Sequence, residues 1–257
     1  MNFIPNLLKH NKKLNYPLFE KKNGFKYVNE LIALDSHGQN EVMIRSIPPS
    51  YDDGVARTVV CGKTNFVEYA SHTYIINKER KLFEGLSIDT HKEARAHGYG
   101  EILRLISIIH MKENNLAKNT IDALSNAIPF HFKYGFRPDF SGHADFKQPF
   151  KKREYFDPIE YIRETLSLLI TDKKAKKSFI NNAKYLQSVF EEKNALKPHE
   201  INKLDALVYH FIRKHAKNWN EHLLIDDLPM GLEMKNIEKN AKFYNQLFKK
   251  HGIDYKI

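Results

Sequence analysis

The stretch Leu86-Ser-Ile-Asp-Thr-His-Lys-Glu-Ala-Arg95-Ala-His-Gly98-Tyr-Gly100-Glu-Ile-Leu103 decides the fold of this chain. The end of a β-like run is followed by a polar loop, and two glycines then open a helical pattern. The first backbone N–H groups of a helix lack intrahelical acceptors, and the helix dipole adds partial positive charge there. Glycines leave no Cβ between this backbone and a ligand, so the stretch predicts a phosphate or pyrophosphate site.

The sequence around this stretch separates it from two other phosphate-binding motifs. It is not a Walker loop, because no Gly-Lys-Ser/Thr sequence follows the glycines. β-branched and aromatic residues cluster in three runs separated by turn residues, namely Val55–Cys61, Phe66–Ile76 and Leu82–Asp89. These runs predict an antiparallel meander, whereas a Rossmann fingerprint requires a parallel βαβ unit.

Helical and β-like patterns alternate after the glycines. Apolar residues recur at helical spacing across Glu101–Leu116, and Thr120–Leu124 is a short β-like run. Ala127–Tyr134 is a compact helix candidate, which Gly135 is expected to end in the left-handed conformation that other residues resist. A meander followed by this alternation favours a mixed α+β fold.

The N-terminal segment, residues 1–54, has a less regular pattern. It contains four prolines and predicts mostly irregular structure. We expect one short helix around Lys26–Leu34 and a strand at Val42–Ser46.

The C-terminal part predicts a helical insert, a closing strand and one last helix. Three amphipathic helices are expected in the insert, marked by a start signal at Asp157-Pro158-Ile159-Glu160 and by apolar stripes at Phe179–Phe190 and Ile201–Phe211. Leu228–Met234 alternates like a strand. The last helix carries, on one face before Gly252, the residues Ile237, Ala241, Tyr244, Leu247 and Phe248.

Two short motifs carry a family resemblance. The first is Arg95-Ala96-His97-Gly98-Tyr99-Gly100, and the second is Ala127-Ile-Pro-Phe-His131-Phe-Lys-Tyr134-Gly135-Phe136. They resemble the GNAT superfamily of acetyl-CoA-dependent N-acetyltransferases. Its hallmark is Arg or Gln, two residues, Gly, one residue, and Gly or Ala, and its second element places an alanine before an aromatic-rich helix ending in Gly-Phe. The resemblance covers about residues 55–140 and, less fully, the closing strand.

The resemblance implies both an architecture and an activity. The fold would be α+β, with a mixed, mostly antiparallel central sheet flanked by helices, a helical insert before the last strand and a C-terminal helix. The implied boundaries are 1–54 for an N-terminal segment packing on the core, 55–150 for the acetyl-CoA-binding core, 151–227 for the helical insert and 228–257 for the closing strand and C-terminal helix. The activity would be transfer of an acetyl group from acetyl-CoA, a co-substrate, to a primary amine by direct attack in a ternary complex.

Coenzyme binding is implied for the strand before the loop and for the loop itself. The pantetheine arm would pair with the strand backbone as an extra strand does, and the pyrophosphate would lie on the loop. The tetrahedral intermediate needs a backbone N–H from the strand near Leu86–Ile88 to hold its oxyanion. The expected coenzyme-binding residues are Leu86, Ile88, Arg95, Ala96, His97, Gly98, Tyr99 and Gly100.

Glu84 is the candidate general base. Side chains alternate along a strand, so Glu84 shares a face with Leu86 and Ile88. It precedes Arg95 by eleven positions, the spacing at which protein-lysine acetyltransferases of the superfamily carry a glutamate base. A carboxylate there could take the proton of an ammonium group directly or through water. The alternative is a solvated strand glutamate, and lower-ranked rivals for the base are Glu68, Asp89 and His72.

His131 stands where many superfamily members have a tyrosine that is thought to protonate the departing thiolate. An imidazole can donate or accept a proton near neutral pH, so His131 is a candidate acid, with Tyr134 as the fallback donor. A packing or surface histidine is the alternative. Leu124 stands where an asparagine is often found. These departures motivate a second hypothesis, a catalytically weak acyl-CoA-binding module whose helical insert is a partner-docking surface.

Charge and composition restrict the partners. The 257 residues include 41 Lys+Arg and 31 Asp+Glu, a formal net charge of +10. The excess is spread over both halves of the chain, and the dense run Lys173–Lys177 is interpreted as a solvated helix face. An RNA-associated acetyltransferase is therefore ranked last. The acceptor is expected to be a small-molecule or protein amine, and the oligomeric state is open.

The single cysteine and the hydropathy pattern bear on the compartment. Cys61 alone excludes an internal disulfide framework and a multi-cysteine metal site, which fits a reducing environment. No apolar run approaches the roughly 20 residues that cross a bilayer, and the first residues lack a signal-peptide core. We expect a soluble cytoplasmic protein that uses acetyl-CoA and no metal.

Overall fold

A computed structural model describes residues 15–49, 54–140, 172–193, 197–215 and 228–257. Two compact units interleave along the chain. Within the described residues, the first unit comprises the chain up to Lys78, Leu86–Leu116 and Ile237–Ile257. The second unit comprises Glu79–Gly85 and Ala117–Asn236.

The described residues form nine strands and six α-helices, which makes the fold mixed α+β as predicted. The strands are β1 (Leu18–Lys22), β2 (Phe25–Leu34), β3 (Glu41–Ile47), β4 (Val55–Gly62), β5 (Glu68–Asn77), β6 (Leu82–Thr90), β7 (Lys118–Ala123), β8 (Arg137–Pro138) and β9 (Leu228–Glu233). The helices are α1 (Tyr99–Glu113), α2 (Ile128–Lys133), α3 (Lys173–Lys193), α4 (Pro198–His215), α5 (Met234–Lys239) and α6 (Ala241–Lys250). Among these helices, none is long and apolar enough to cross a bilayer.

In the first unit the strand order is β1-β2-β3-β4-β5-β6, and the pairings from β1 to β5 are antiparallel. β4, β5 and β6 fall on the three predicted runs of the meander, and β3 contains the predicted strand Val42–Ser46. Helix α1 packs on β2, β4 and β5, contacts α6, and is buried along nearly its whole length. The core of this unit therefore lies between α1 and the sheet.

The core of the first unit also contains polar groups that are paired internally. The Val28 N–H donates to Nε2 of His110 at 3.0 Å, and Thr58 Oγ1 lies 2.9 Å from Ser46 Oγ and 3.2 Å from the Tyr74 hydroxyl. Burial lowers the pKa of His110 to about 3 and raises that of Tyr74. Both side chains are thus neutral, which removes the need for a counter-charge in the core.

Phe25–Leu34 is a strand, so the short helix predicted around Lys26–Leu34 is wrong. Asn23 and Gly24 have positive φ angles of 51° and 80°, and Lys22 pairs with Phe25 across this two-residue turn. An Asn-Gly turn of this kind matches the twist of a β-hairpin. The turn therefore directs the chain into β1 and β2, and it outweighs the short helix-like spacing that follows.

In the second unit the strand order is β6-β7-β9-β8. β6 pairs with β7 in parallel, and the β7–β9 and β8–β9 pairings are antiparallel. β9 is the predicted closing strand. Helices α3 and α4 pack together and bury the predicted stripe residues Phe179, Ala183, Leu186, Ile201, Leu204, Val208 and Phe211. The third predicted helix, starting at Asp157, lies outside the described residues.

The C-terminal segment forms two helices, so the single last helix predicted there is wrong. The chain breaks at Asn240, which has φ −106° and ψ 24° and is the N-cap of α6. Asparagine competes with the helix backbone for hydrogen bonds and therefore favours such positions. Ile237, Tyr244 and Phe248 are buried, as the predicted apolar face requires.

Asp205 on α4 is a half-buried carboxyl of the second unit. Its Oδ1 accepts the Phe140 N–H at 2.9 Å. Burial raises the pKa of Asp205 to about 7, although the Phe140 hydrogen bond opposes the shift. Because this value lies above the unfolded value of about 3.9, the folded state binds the proton more tightly. The stability that this group contributes is complete below the unfolded pKa and is lost as the pH rises through the folded pKa.

Asp205→Asn is expected to prevent the loss of stability as the pH rises. The asparagine Oδ1 still accepts the Phe140 N–H, and no charge forms at this position. Thermal unfolding should give a Tm above the wild-type value at about pH 8 and a much smaller difference at about pH 4. A Tm difference that is independent of pH would show that the carboxyl does not titrate in this range.

Candidate phosphate-binding site

The predicted loop is a tight connection between β6 and α1. A 3-10 turn at Lys92–Ala94 follows β6, and α1 begins at Tyr99 with Gly98 as its N-cap. Gly98 has no side chain with which to cap this helix N-terminus. The first backbone N–H groups of a helix lack intrahelical acceptors, which suits an external acceptor such as a phosphate oxygen.

Ser36, in the turn between β2 and β3, holds the loop. Its N–H donates to the His97 carbonyl at 2.8 Å, and its Oγ donates to the Ala96 carbonyl at 3.2 Å. Ala96 has a φ of 68°, in the left-handed region, which costs a residue with a Cβ roughly 1–2 kcal/mol. Two hydrogen bonds from one serine thus stabilise a loop conformation that is unfavourable by itself.

Asp35 orders the turn that carries this serine. It is 0% exposed, and it accepts hydrogen bonds from the Gln39 N–H at 2.9 Å and the Asn40 side chain at 2.7 Å. Burial alone would raise the pKa of Asp35, but these hydrogen bonds outweigh it and the pKa is lowered. The Asp35 carboxylate lies 3.7 Å from Nδ1 of His97, so these two side chains also bring the turn against the loop.

Gly98 is required by packing as well as by backbone conformation. Its φ is 80°, and a Cβ built there would lie 2.7 Å from Cβ of Ser36 and 3.4 Å from Cε1 of His251. The sequence predicts a glycine that admits a phosphate to the backbone, whereas the structure shows protein atoms in the space that a side chain would need. Glycine at this position therefore follows from the fold of the loop itself.

Aromatic rings line a cleft beside the loop. Tyr99 stacks on His97 and on Tyr69, with ring centroids 5.6 Å and 5.3 Å apart and interplanar angles of 14° and 11°. The cleft has a volume of about 750 Å³, within the range of small-molecule sites. Its ionisable lining residues outside the stack are Glu41, Lys63, Glu68, His91 and Glu93. Glutamates outnumber the lysine, so this cleft does not favour a polyanion, and phosphate groups are better matched to the backbone N–H groups of the loop.

The second half of β6 presents exposed residues ahead of the loop. The parallel register with β7 runs from Leu82 to Gly85. After it, Leu86 is 54% exposed and Ile88 is half-buried. An extended ligand with amide groups can add to exposed strand backbone as a further strand. The predicted pantetheine-binding residues, Leu86 and Ile88, are therefore accessible to such a ligand.

Glu84, the candidate base, lies on β6 in the second unit. Its side chain is 25% exposed, and Oε1 lies 3.6 Å from Nη1 of Arg80. Glu84 is thus half-buried and paired, and its catalytic role stays a prediction.

His131 and Tyr134 are buried in the second unit, with exposures of 6% and 4%. The His131 ring makes edge contacts with Phe130 at 5.2 Å and Phe136 at 5.6 Å, and the Tyr134 ring packs on Phe130 at 4.9 Å. The surface-histidine alternative for His131 is therefore wrong. The packing role and the proton-donor role both stay open.

The rival bases lie in other surroundings. Glu68 is paired with Arg57 at 2.5 Å, and Asp89 is exposed on β6. His72 is 2% exposed, and its Nδ1 lies 3.2 Å from Oγ of Ser107 on α1. His72 is therefore a core residue of the first unit, away from solvent.

Cys61 is a core residue. It is 6% exposed, its thiol donates to the Met43 carbonyl at 3.5 Å, and burial raises its pKa. A buried protonated thiol is a poor nucleophile. In the part of the chain that the structure describes, no group of three or more His, Cys, Asp or Glu residues could hold a metal ion.

Sequence reasoning missed Ser36 and His251 as partners of the loop. Ser36 lies 60 positions before Ala96, and neither Ser36 nor His251 belongs to a recognisable motif. The turn signal Asp35-Ser36-His37-Gly38 was available in the sequence, since Asp, Ser and Gly favour turns. It indicates a turn, but it does not indicate what the turn binds.

The comparisons with known proteins found similarity only to solved structures. No protein-family model and no curated protein sequence matches the chain. Tetrahymena GCN5 is 18% identical, over 41% of this chain and 65% of that chain, with a TM-score of 0.35. A spermidine N-acetyltransferase from Vibrio cholerae is 19% identical, over 34% of this chain and 53% of that chain, with a TM-score of 0.31. A Bacillus subtilis acetyltransferase in complex with CoA is 15% identical, over 35% of this chain and 59% of that chain, with a TM-score of 0.31. The chain thus spans about half to two thirds of the length of these structures.

Proposed function

We propose that this chain is an N-acetyltransferase that transfers the acetyl group of acetyl-CoA to a primary amine. The observation that carries the proposal is the N-terminus of the 15-residue helix α1, which has Gly98 as its N-cap and lies behind a loop with left-handed Ala96 and Gly98. Such a helix start suits a pyrophosphate. The loop residues Arg95–Gly100 also fill the superfamily hallmark at every position. The exposed end of β6 leads directly into this loop and offers backbone to a pantetheine arm.

The proposed reaction starts with loss of a proton from the amine. A lysine-like ammonium group has a pKa of about 10.4, so it needs a base at neutral pH, and we assign this role to Glu84, directly or through water. The neutral nitrogen attacks the thioester carbon and forms the C–N bond. A backbone N–H near Leu86–Ile88 is assigned to the oxyanion. The C–S bond then breaks, the nitrogen releases its second proton to solvent, and the thiolate takes a proton from His131 or Tyr134.

The proposed partners follow from the same chemistry. The acceptor is a primary amine of a small molecule or a protein, and acetyl-CoA is a co-substrate that leaves as CoA. No covalent enzyme intermediate is needed, in keeping with the buried thiol of Cys61. A reduced, buried single cysteine also fits the proposed cytoplasmic location.

The proposal is tested by following thiol release from acetyl-CoA with a panel of polyamines, amino acids, lysine peptides and aminoacyl-tRNA. We expect release that depends on one class of amine, with the acetylated amine identified by mass spectrometry. Tight acetyl-CoA binding without turnover on any amine would favour the catalytically weak acyl-CoA-binding module. RNA binding with a steep log-log salt dependence would favour the RNA-associated enzyme. A chain that binds no acetyl-CoA refutes the proposed function.

A further inference from the structure

A buried ion cluster lies in the first unit at the start of α1. Glu101, in the first turn of the helix, is 4% exposed. Its Oε1 accepts hydrogen bonds from Nζ of Lys250 at 2.5 Å and from Nε2 of His251 at 2.6 Å. His251 is the C-cap residue of α6 and is 0% exposed. The cluster therefore joins the first turn of α1 to the end of α6.

Both ring nitrogens of His251 face hydrogen-bond acceptors. Nδ1 lies 2.7 Å from the Leu34 carbonyl oxygen, and Nε2 lies 2.6 Å from the Glu101 carboxylate. A carbonyl oxygen can only accept, so Nδ1 donates to Leu34. The ring therefore bridges the end of β2 to the first turn of α1. The Glu101 carboxyl also accepts from the Lys250 ammonium group.

The same ring lies against the loop. Its Cε1 is 3.4 Å from the position that a Cβ on Gly98 would occupy. The Leu34 N–H also donates to the His251 carbonyl at 2.8 Å, so His251 and Leu34 are joined by backbone and side chain. Leu34 ends β2, two residues before Ser36, which binds the loop carbonyls. His251 thus contacts the helix start, the glycine turn and the strand that leads into the supporting turn.

We propose that His251, together with Glu101 and Lys250, is a positioning residue for the coenzyme pyrophosphate. This inference rests on the proposed function, because the ligand is the pyrophosphate of acetyl-CoA. The cluster fixes the first turn of α1 against the Ser36 turn and so sets the direction of the N–H groups from Gly98 to Glu101. A lone carboxylate at a helix N-terminus would repel a bound anion, and the Lys250 ammonium group offsets that repulsion.

The inference is tested first by steady-state kinetics of His251→Gln. Glutamine has a similar length but cannot donate to two acceptors on opposite sides. We expect the KM for acetyl-CoA to rise about tenfold, equivalent to ~1.4 kcal/mol, with kcat within about twofold of wild type. Lys249→Gln, an exposed neighbour on α6, is the matched control and should change neither value. A lowered Tm with unchanged KM, or a loss confined to kcat, would overturn the inference.

Lys250→Gln keeps the test informative if His251→Gln does not fold. The Lys250 side chain is 40% exposed, so its replacement leaves the core of the unit in place. It removes the ammonium group that faces Glu101, and we expect the KM for acetyl-CoA to rise about threefold. A KM equal to that of Lys249→Gln, the same substitution one residue away, contradicts the electrostatic part of the inference.

Amide hydrogen exchange separates this inference from the proposed function. The Ser36 N–H donates to the His97 carbonyl, and the Ile102 N–H donates to the Gly98 carbonyl at 3.1 Å. Both amides should exchange faster in His251→Gln than in Lys249→Gln, without any ligand present. Faster exchange in a protein that binds no acetyl-CoA would support the role of His251 in positioning the loop. It would refute the proposal that acetyl-CoA is the ligand. Unchanged exchange would refute loop positioning whether or not acetyl-CoA binds.

Discussion

Gly98→Ala is expected to lower the free energy of unfolding by roughly 2–5 kcal/mol. A residue with a Cβ costs about 1–2 kcal/mol in the left-handed conformation, and overpacking adds about 1–3 kcal/mol. The first term follows from the φ of 80° at Gly98. The second follows from the 2.7 Å between the added Cβ and Cβ of Ser36, which is backbone-linked and cannot rotate away. Urea denaturation of the purified variants measures the difference directly. Because Ser36 also holds the loop carbonyls, acetyl-CoA affinity should fall in parallel.

Gly24→Ala is the matched control for this prediction. Gly24 has the same φ of 80°, but an added Cβ there would meet only Nζ of Lys78, at 3.8 Å. Both variants therefore bear the cost of the left-handed conformation, and Gly98→Ala alone bears the clash. Equal losses of stability would show that packing against Ser36 and His251 does not require the glycine. A larger loss at Gly98 would confirm that the loop is built on these two residues.

The loop and the helix behind it could be predicted because their signals are local. The signals lie within fewer than twenty consecutive residues: a β-like run, two glycines after it, and the start of a helical pattern. The structure places β6, the loop and α1 within a few residues of the predicted boundaries. The sequence nevertheless gives an incomplete reason for glycine at position 98, because the atoms that would clash with a side chain there belong to Ser36 and His251.

The support of the loop could not be predicted, because it depends on contacts between distant parts of the chain. His251 and Glu101 are 150 positions apart, and a buried histidine with two acceptors has no sequence signature. The error at β2 has a different origin. The dipeptide Asn23-Gly24 is itself a strong hairpin signal, and it predicts a hairpin here instead of a helix.

Glu84→Gln is expected to lower kcat by about 10²–10⁴ and to change the KM for acetyl-CoA by less than about threefold, because the amide cannot accept the amine proton but keeps nearly the same shape. Glu68→Gln is the matched comparison. Glu68 is also a strand glutamate paired with an arginine, Arg57, and it is a rival for the base. If Glu68→Gln alone lost turnover, the base would be assigned to β5. Equal losses of kcat and acetyl-CoA affinity in Glu84→Gln would remove Glu84 from the base role.

The pH dependence of the same variant distinguishes proton transfer from a merely structural effect of breaking the Arg80 pair. As the pH approaches the ordinary amine pKa of about 10.4, solvent supplies the neutral nucleophile and a general base matters less. The ratio of wild-type to Glu84→Gln turnover should therefore shrink steadily as the pH is raised from about 7 to 9.5. A distorted strand would impair attack by a neutral amine equally at every pH. A constant ratio would thus assign Glu84 to holding β6 through Arg80, and the base would have to be another group or water.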